Sequence, residues 1–200
     1  MSHLYMISKD KKIKDQKLII CFTGMPGAGK TTAAEVAKDL NFEIINMGEG
    51  VREETIRQGL LLTDKNVGSV MLGLRRKNGM EAVAQLALPK ILSSKKKVVI
   101  VDGVRNFEEI EVFKDVGEVK ILVIHGSPEI RFEYLRGRRR KDAPKSMKPF
   151  EARDEREISI GIVRIIALAD EVISNNGISI AELQEKTRKV LLKWADYIEH

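Results

Sequence analysis

Five short runs of apolar and β-branched residues punctuate the chain, at residues 18–22 (LIICF), 42–45 (FEII), 98–101 (VVIV), 119–124 (VKILVI) and 171–174 (EVIS). Runs of this length bounded by turn residues read as strands. Between them apolar positions recur every three or four residues, the period of a helix with one buried face. That period predicts helices over 30–40, 48–58, 67–93 with a break at Asn78-Gly79, 107–116, 128–139, 150–168 and 180–198. Ser127-Pro128 marks a helix start, because a serine hydroxyl can accept a free N–H of the first turn and proline has no N–H to leave unsatisfied there.

Strand and helix thus alternate along the chain, which implies a parallel sheet. The strands are too continuously apolar for a sheet with one wet face, so helices should cover both sides. In such α/β sandwiches ligands bind beyond the C-terminal ends of the strands. A length of 200 residues with 43% hydrophobic content suits one globular domain, and neither a repeat nor a Pro/Gly/Ser linker divides it. No apolar run approaches the roughly 20 residues of a membrane helix. Residues 1–16, a basic N-terminal extension, lack the apolar core of a secretory signal, so the expectation is a cytoplasmic protein without a membrane partner. The single cysteine, Cys21, lies inside the first apolar run and reads as a packing residue. No metal-ligand spacing surrounds His3, His125 or His200.

The formal charge of +6 changes the picture only where it is concentrated. The extension 1–16 and the lysines at 95–97 read as solvated segments. The stretch 131–148 (RFEYLRGRRRKDAPKSMK) differs, since it mixes many arginines with loop residues.

The strongest chemical signal is Gly24-Met25-Pro26-Gly27-Ala28-Gly29-Lys30-Thr31, with Thr32 following, set between a predicted strand and a predicted helix. This is the P-loop pattern in the context it requires. Glycines let the backbone N–H groups converge on phosphates, and the helix adds its positive N-terminal dipole. Lys30 reaches the terminal phosphates, and Thr31 offers a hydroxyl to Mg²⁺. The loop therefore prefers a nucleoside triphosphate with magnesium. Asp102, at the end of the third run, would emerge beside it as a carboxylate of the outer Mg²⁺ shell.

With these residues the chain resembles the adenylate kinase branch of P-loop proteins, the nucleoside monophosphate kinases and dephospho-coenzyme A kinase. The resemblance spans most of the chain after residue 16. It implies a three-layer P-loop NTPase fold with a five-stranded parallel sheet, an acceptor-binding insert at about 47–78 and a lid at about 136–157. The segment DGVR is similar to the family's Asp-Gly element and implies that Arg105 meets the acceptor phosphate. NMGEGVREE resembles the acceptor segment and implies binding roles for Gly48, Glu49 and Arg52. Two guanidinium forks on one phosphate suit its bidentate geometry. The lid position implies catalytic arginines, with Arg138, Arg140, Arg153 and Arg156 as candidates and Arg138 and Arg153 put first, alongside Lys30 and Arg105. LADEVISNNG is similar to the fifth strand and following loop of dephospho-coenzyme A kinase, which implies that residues 175–177 lie beside the donor base.

The departures matter too. DGVR is one residue shorter than the DGFPR of adenylate kinases, Glu49 stands where Asp is commoner, and the lid arginines are spaced differently. The chain is more like an archaeal-type group related to adenylate kinase. The expected function is transfer of the ATP γ-phosphoryl group to a nucleoside monophosphate or similar small acceptor, with Asp102 or Glu49 taking a proton if the acceptor is a hydroxyl. The alternative is an ATP-dependent binding or assembly factor with weak ATPase activity, touching RNA through 131–148. Only Phe132, Tyr134 and Phe150 supply aromatic faces there, which disfavours a nucleic-acid partner. Arg75 and Arg76 match no motif, and the oligomeric state is left open.

Overall fold

A computed structural model describes residues 17–137, 144 and 146–199, so the expectations on 1–16, Arg138 and Arg140 lie outside the described residues. Strands β1 (Lys17–Thr23), β2 (Glu43–Asn46), β3 (Val98–Asp102), β4 (Gly117–His125) and β5 (Glu171–Ser174) form one sheet in the order β2-β3-β1-β4-β5, every pair parallel. The helices are α1 (Lys30–Asp39), α2 (Met47–Arg57), α3 (Asp64–Asn78), α4 (Ala82–Ser93), α5 (Phe107–Lys114), α6 (Pro128–Gly137), α7 (Met147–Ile160), α8 (Ile162–Ala167) and α9 (Ile180–Glu199).

The sheet is apolar on both faces, and alternate residues of β1 feed two separate cores. Ile19 and Cys21 pack with Val83, Ala84, Ile110, Phe113 and Ile165, which brings α4, α5 and α8 onto one face. Leu18, Ile20 and Phe22 pack with Ala33, Val36, Ala37, Leu183, Leu191 and Trp194, which brings α1 and α9 onto the other. Cys21 is fully buried, and that burial raises its thiol pKa, so it is packing as expected.

The parallel register decides what meets at the C-terminal edge. Phe22 of β1 pairs with Asp102 of β3, and Asp102 pairs with Asn46 of β2. The ends of three strands therefore converge where the P-loop leaves β1.

The main departures from the expected helix bounds fall at residues 150–168 and at the start of α3. The segment expected as one helix over 150–168 is divided at Gly161, whose φ of 108° ends α7 in the left-handed conformation before α8 begins. α7 also starts earlier, at Met147, because Pro149 falls in its first turn, where the missing N–H has no intrahelical partner to lose. α3 begins at Asp64 because the Thr63 side chain accepts the Asn66 N–H as an N-cap. Among the described residues no helix is long and apolar enough to cross a membrane.

Candidate functional site

The loop after β1 runs so close to its neighbours that side chains are excluded. Gly24 has φ 140° and a Cβ there would run into the Ile124 carbonyl of β4. Gly27 has φ 85°, and a Cβ would lie 2.6 Å from the Arg131 carbonyl oxygen. Gly29 is the N-cap of α1 and offers no side-chain hydrogen bond, so the first-turn N–H groups keep their capacity for an anion. Lys30 turns its ammonium back onto the loop, donating to the carbonyls of Gly24 at 2.5 Å and Met25 at 3.2 Å. Burial pushes its pKa down to about 8, with the nearby Asp102 carboxylate acting in the opposite direction.

The loop opens into a cleft of about 230 Å³ whose walls include Gly24, Pro26, Gly27, Lys30, Thr31, Asn46, Gly48, Arg52, Asp102, Arg105, Arg153 and Glu157. Burial raises the pKa of Asp102, opposed by Lys30 and Arg105 and by a hydrogen bond from Asn46. Its Oδ2 accepts from Asn46 Nδ2 at 3.1 Å, whereas Oδ1 is buried and accepts no hydrogen bond from the described residues. Asn46 also caps α2, since its Oδ1 accepts the Gly48 N–H at 2.9 Å, and Arg52 Nη2 approaches the same oxygen at 3.4 Å. One strand-end amide thus orients a carboxylate and an arginine from two other elements.

Arg105 reaches the cleft by a braced loop. Its backbone N–H donates to Glu109 at 2.8 Å, its Nη1 approaches Met71 Sδ at 3.1 Å, and its Nε lies 2.8 Å from Glu157 Oε2. Glu109 is fully buried and takes a second bond from Arg75 Nη2 at 2.5 Å. Burial raises the Glu109 pKa, with Arg75 opposing. Asn106 caps α5 through the Glu109 N–H at 2.9 Å and donates to the Met80 carbonyl at 2.9 Å. Thr23 Oγ1 closes the other end of this loop on the Val104 carbonyl at 2.7 Å.

Of the residues expected at the site, the cleft gathers Gly24, Pro26, Gly27, Lys30, Thr31, Gly48, Arg52, Asp102, Arg105 and Arg153. Met25, Ala28 and Gly29 contribute backbone to the same loop, the Ala28 carbonyl accepting from Asn175 Nδ2 at 2.9 Å. Thr32 and Gly29 line a second, more apolar cavity of about 360 Å³ with Tyr134, Asn175, Ile178 and Leu183, so the loop after β5 does come up against the P-loop. Glu49 does not line the cleft: its carboxylate is 55% exposed and lies 3.6 Å from Lys90 of α4. Arg156 is directed toward α3 at Gly68 rather than into the cleft. Sequence reasoning missed Asn46, Glu157 and Arg131, and it set Arg75 aside as matching no motif. Only Asn46 carried a readable signal, an N-cap residue at a strand end immediately before a helix.

The fold and this loop together define a P-loop α/β domain. Residues 23–151 match the AAA_17 family model, described as an AAA domain. The chain is 39% identical over 181 residues to a UPF0200 protein of Thermococcus gammatolerans, covering 88% of this chain and 95% of that protein. It is 43% identical over 160 residues to a UPF0200 protein of Methanocaldococcus jannaschii, covering 79% and 81% respectively. A UPF0200/UPF0201 protein of Archaeoglobus fulgidus is 43% identical over 185 residues, and this chain spans 57% of its length. The chain belongs to the UPF0200 family. Among solved structures, TT1252 from Thermus thermophilus superposes with a TM-score of 0.65 at 17% identity, over 90% of this chain and 98% of that one. A shikimate kinase from Acinetobacter baumannii in complex with shikimate gives 0.56 at 18% identity, over 92% and 97%. A gluconokinase from Sinorhizobium meliloti gives 0.52 at 16% identity, over 92% and 95%. At these identities the likeness is one of fold.

Proposed function

We propose that the protein transfers the γ-phosphoryl group of ATP to a small acceptor that itself carries a phosphate, with nucleoside monophosphates as the acceptor class. The observation that carries this reading is that one cleft holds two cationic sets. Lys30 belongs to the P-loop, while Arg52 and Arg105 enter from α2 and from the loop after β3. A nucleotide switch needs the first set alone. A phosphotransferase needs both, one for the donor and one for an acceptor anion.

The residues fit Mg-ATP. The glycine backbone forms a cradle that a Cβ would fill, and Asp102 has a buried oxygen with no donor among the described residues. Thr31 and Asp102 would hold Mg²⁺, which when bound neutralises charge on the phosphate oxygens. No cluster of three or more His, Cys, Asp or Glu is found among the described residues, so protein ligands alone do not build the ion's shell. The second cavity, walled by Tyr134, Ile178 and Leu183, suits the donor base.

Lys30 follows the charge on the terminal phosphates, Arg52 and Arg105 fix the acceptor phosphate in line, and Arg153 adds charge at the transferring group. An acceptor that is already an anion needs no general base, which fits a cleft lined by no histidine among the described residues. Glu49 has no part in this reading because it faces Lys90 outside the cleft.

The test is ADP formation from Mg-ATP across AMP, CMP, UMP, GMP, dephospho-coenzyme A and a short 5′-hydroxyl RNA, with Lys30→Ala in parallel. One nucleoside monophosphate should raise turnover strongly, and the substitution should remove about two orders of magnitude or more. Uniformly slow turnover despite ATP binding, with salt-sensitive RNA association, would favour the ATP-dependent binding or assembly factor instead.

A further inference from the structure

Arg131 of α6 is a hub that the phosphate chemistry does not use. Its side chain is 4% exposed, and its Nε donates to the Gly126 carbonyl at 3.0 Å. Its Nη1 donates to the Pro26 carbonyl at 3.0 Å and to Asp154 Oδ1 at 2.8 Å, and its Nη2 to Asp154 Oδ2 at 2.5 Å. The guanidinium also lies 4.9 Å over the Phe150 ring. The same residue meets the P-loop a second time through its main chain, where Gly27 packs on its carbonyl.

Asp154 sits on α7, one residue after Arg153 and three before Glu157, and both of those line the cleft. On a helix Glu157 is the same-face neighbour of both, at i+4 from Arg153 and i+3 from Asp154. α7 is therefore tied at Asp154, through Arg131, to the Pro26 carbonyl of the P-loop, and at Glu157 to Arg105.

We infer that Arg131 and Asp154 are positioning residues that fix α7 against the P-loop, so that occupation of the loop sets where Arg153 and Glu157 stand in the cleft. Net stability is a poor reason for such a pair, since desolvation offsets much of the attraction within a buried ion pair. What a planar bidentate fork supplies is direction. A third bond to a carbonyl inside the phosphate loop means that any movement of residues 25–27 on phosphate binding is passed to Asp154. The kinetic consequence rests on the phosphotransferase reading; the coupling itself does not.

The test compares the wild type with Asp154→Asn, Asp154→Glu and a paired Arg131→Met/Asp154→Leu variant, which leaves no buried charge unpartnered. Hydrogen exchange of the amides at 147–160 is measured with and without Mg-ATP, beside ATP affinity and acceptor-dependent kinetics. ATP should protect these amides in the wild type and in Asp154→Glu but not in the other two. Asp154→Asn should keep ATP affinity within about threefold while the acceptor-stimulated kcat falls about tenfold to a hundredfold, the cost of misplacing a group near the chemistry by about an ångström. Equal ATP-dependent protection in all four proteins would overturn the inference. So would a loss in Asp154→Asn that appears only as weaker ATP binding in step with a lowered Tm. If the wild type shows no acceptor-stimulated turnover, the phosphotransferase reading fails, and the exchange comparison still decides the coupling.

Discussion

Lys30 carries its charge at a cost, and the cost has a sign. Its pKa is lowered from 10.5 to about 8 by burial, so between those values the unfolded chain binds more protons than the folded one. The stability contribution of this lysine is fully present above its ordinary value and is lost as pH falls through about 8. Nucleotide binding should run the other way, because phosphate favours the ammonium. Calorimetry of Mg-ATP binding in buffers of differing ionisation heat should find uptake of about one proton near pH 9. Affinity should also fall by up to about tenfold per pH unit above 8. Lys30→Ala should show neither effect. Asn46 allows a second prediction, because it both caps α2 and holds Asp102. Asn46→Ala should lower stability by about 1 kcal/mol, the usual cost of a lost N-cap, and raise the acceptor KM more than the ATP KM.

Besides their apolar packing, the helices between β2 and β3 are joined to α5 by a buried ion pair. Arg75 of α3 meets Glu109 of α5 with side-chain exposures of 3% and 0%, and Glu109 also holds the backbone of Arg105. Glu109→Gln should therefore destabilise the protein by about 3–5 kcal/mol, since it leaves the Arg75 charge buried without a counter-ion. Pairing it with Arg75→Met should recover most of the lost Tm in thermal denaturation, and the acceptor KM should stay near the wild-type value because the glutamine oxygen can still accept the Arg105 N–H. The elements themselves were largely legible in the sequence. The strands are short, continuously apolar and separated by helical periods, and the P-loop is a local pattern of glycines. What sequence could not supply was pairing across distance. Asn46 and Asp102 are 56 residues apart and Pro26 and Arg131 are 105 apart, so only the sheet register and the packing of α6 on the loop bring them together. Gly161 was readable as a helix stop, but the apolar period running through it on both sides masked the break.

One edge of the sheet delivers the phosphate loop, the carboxylate beside it and the amides that hold them. β1 supplies the phosphate loop, β2 supplies Asn46, β3 supplies Asp102, and the turn after β5 supplies Asn175 beneath Ala28. The family-model match ends at residue 151, yet Arg153, Asp154 and Glu157 lie beyond it on α7. The central claim is that this cleft passes a phosphoryl group between two bound molecules instead of giving it to water. The most direct measurement follows the fate of a γ-labelled phosphoryl group from Mg-ATP in the presence of the best-stimulating nucleoside monophosphate. Nearly all the label should appear on the acceptor, with one ADP formed per acceptor phosphorylated. Label released as inorganic phosphate at a rate indifferent to every acceptor would contradict it.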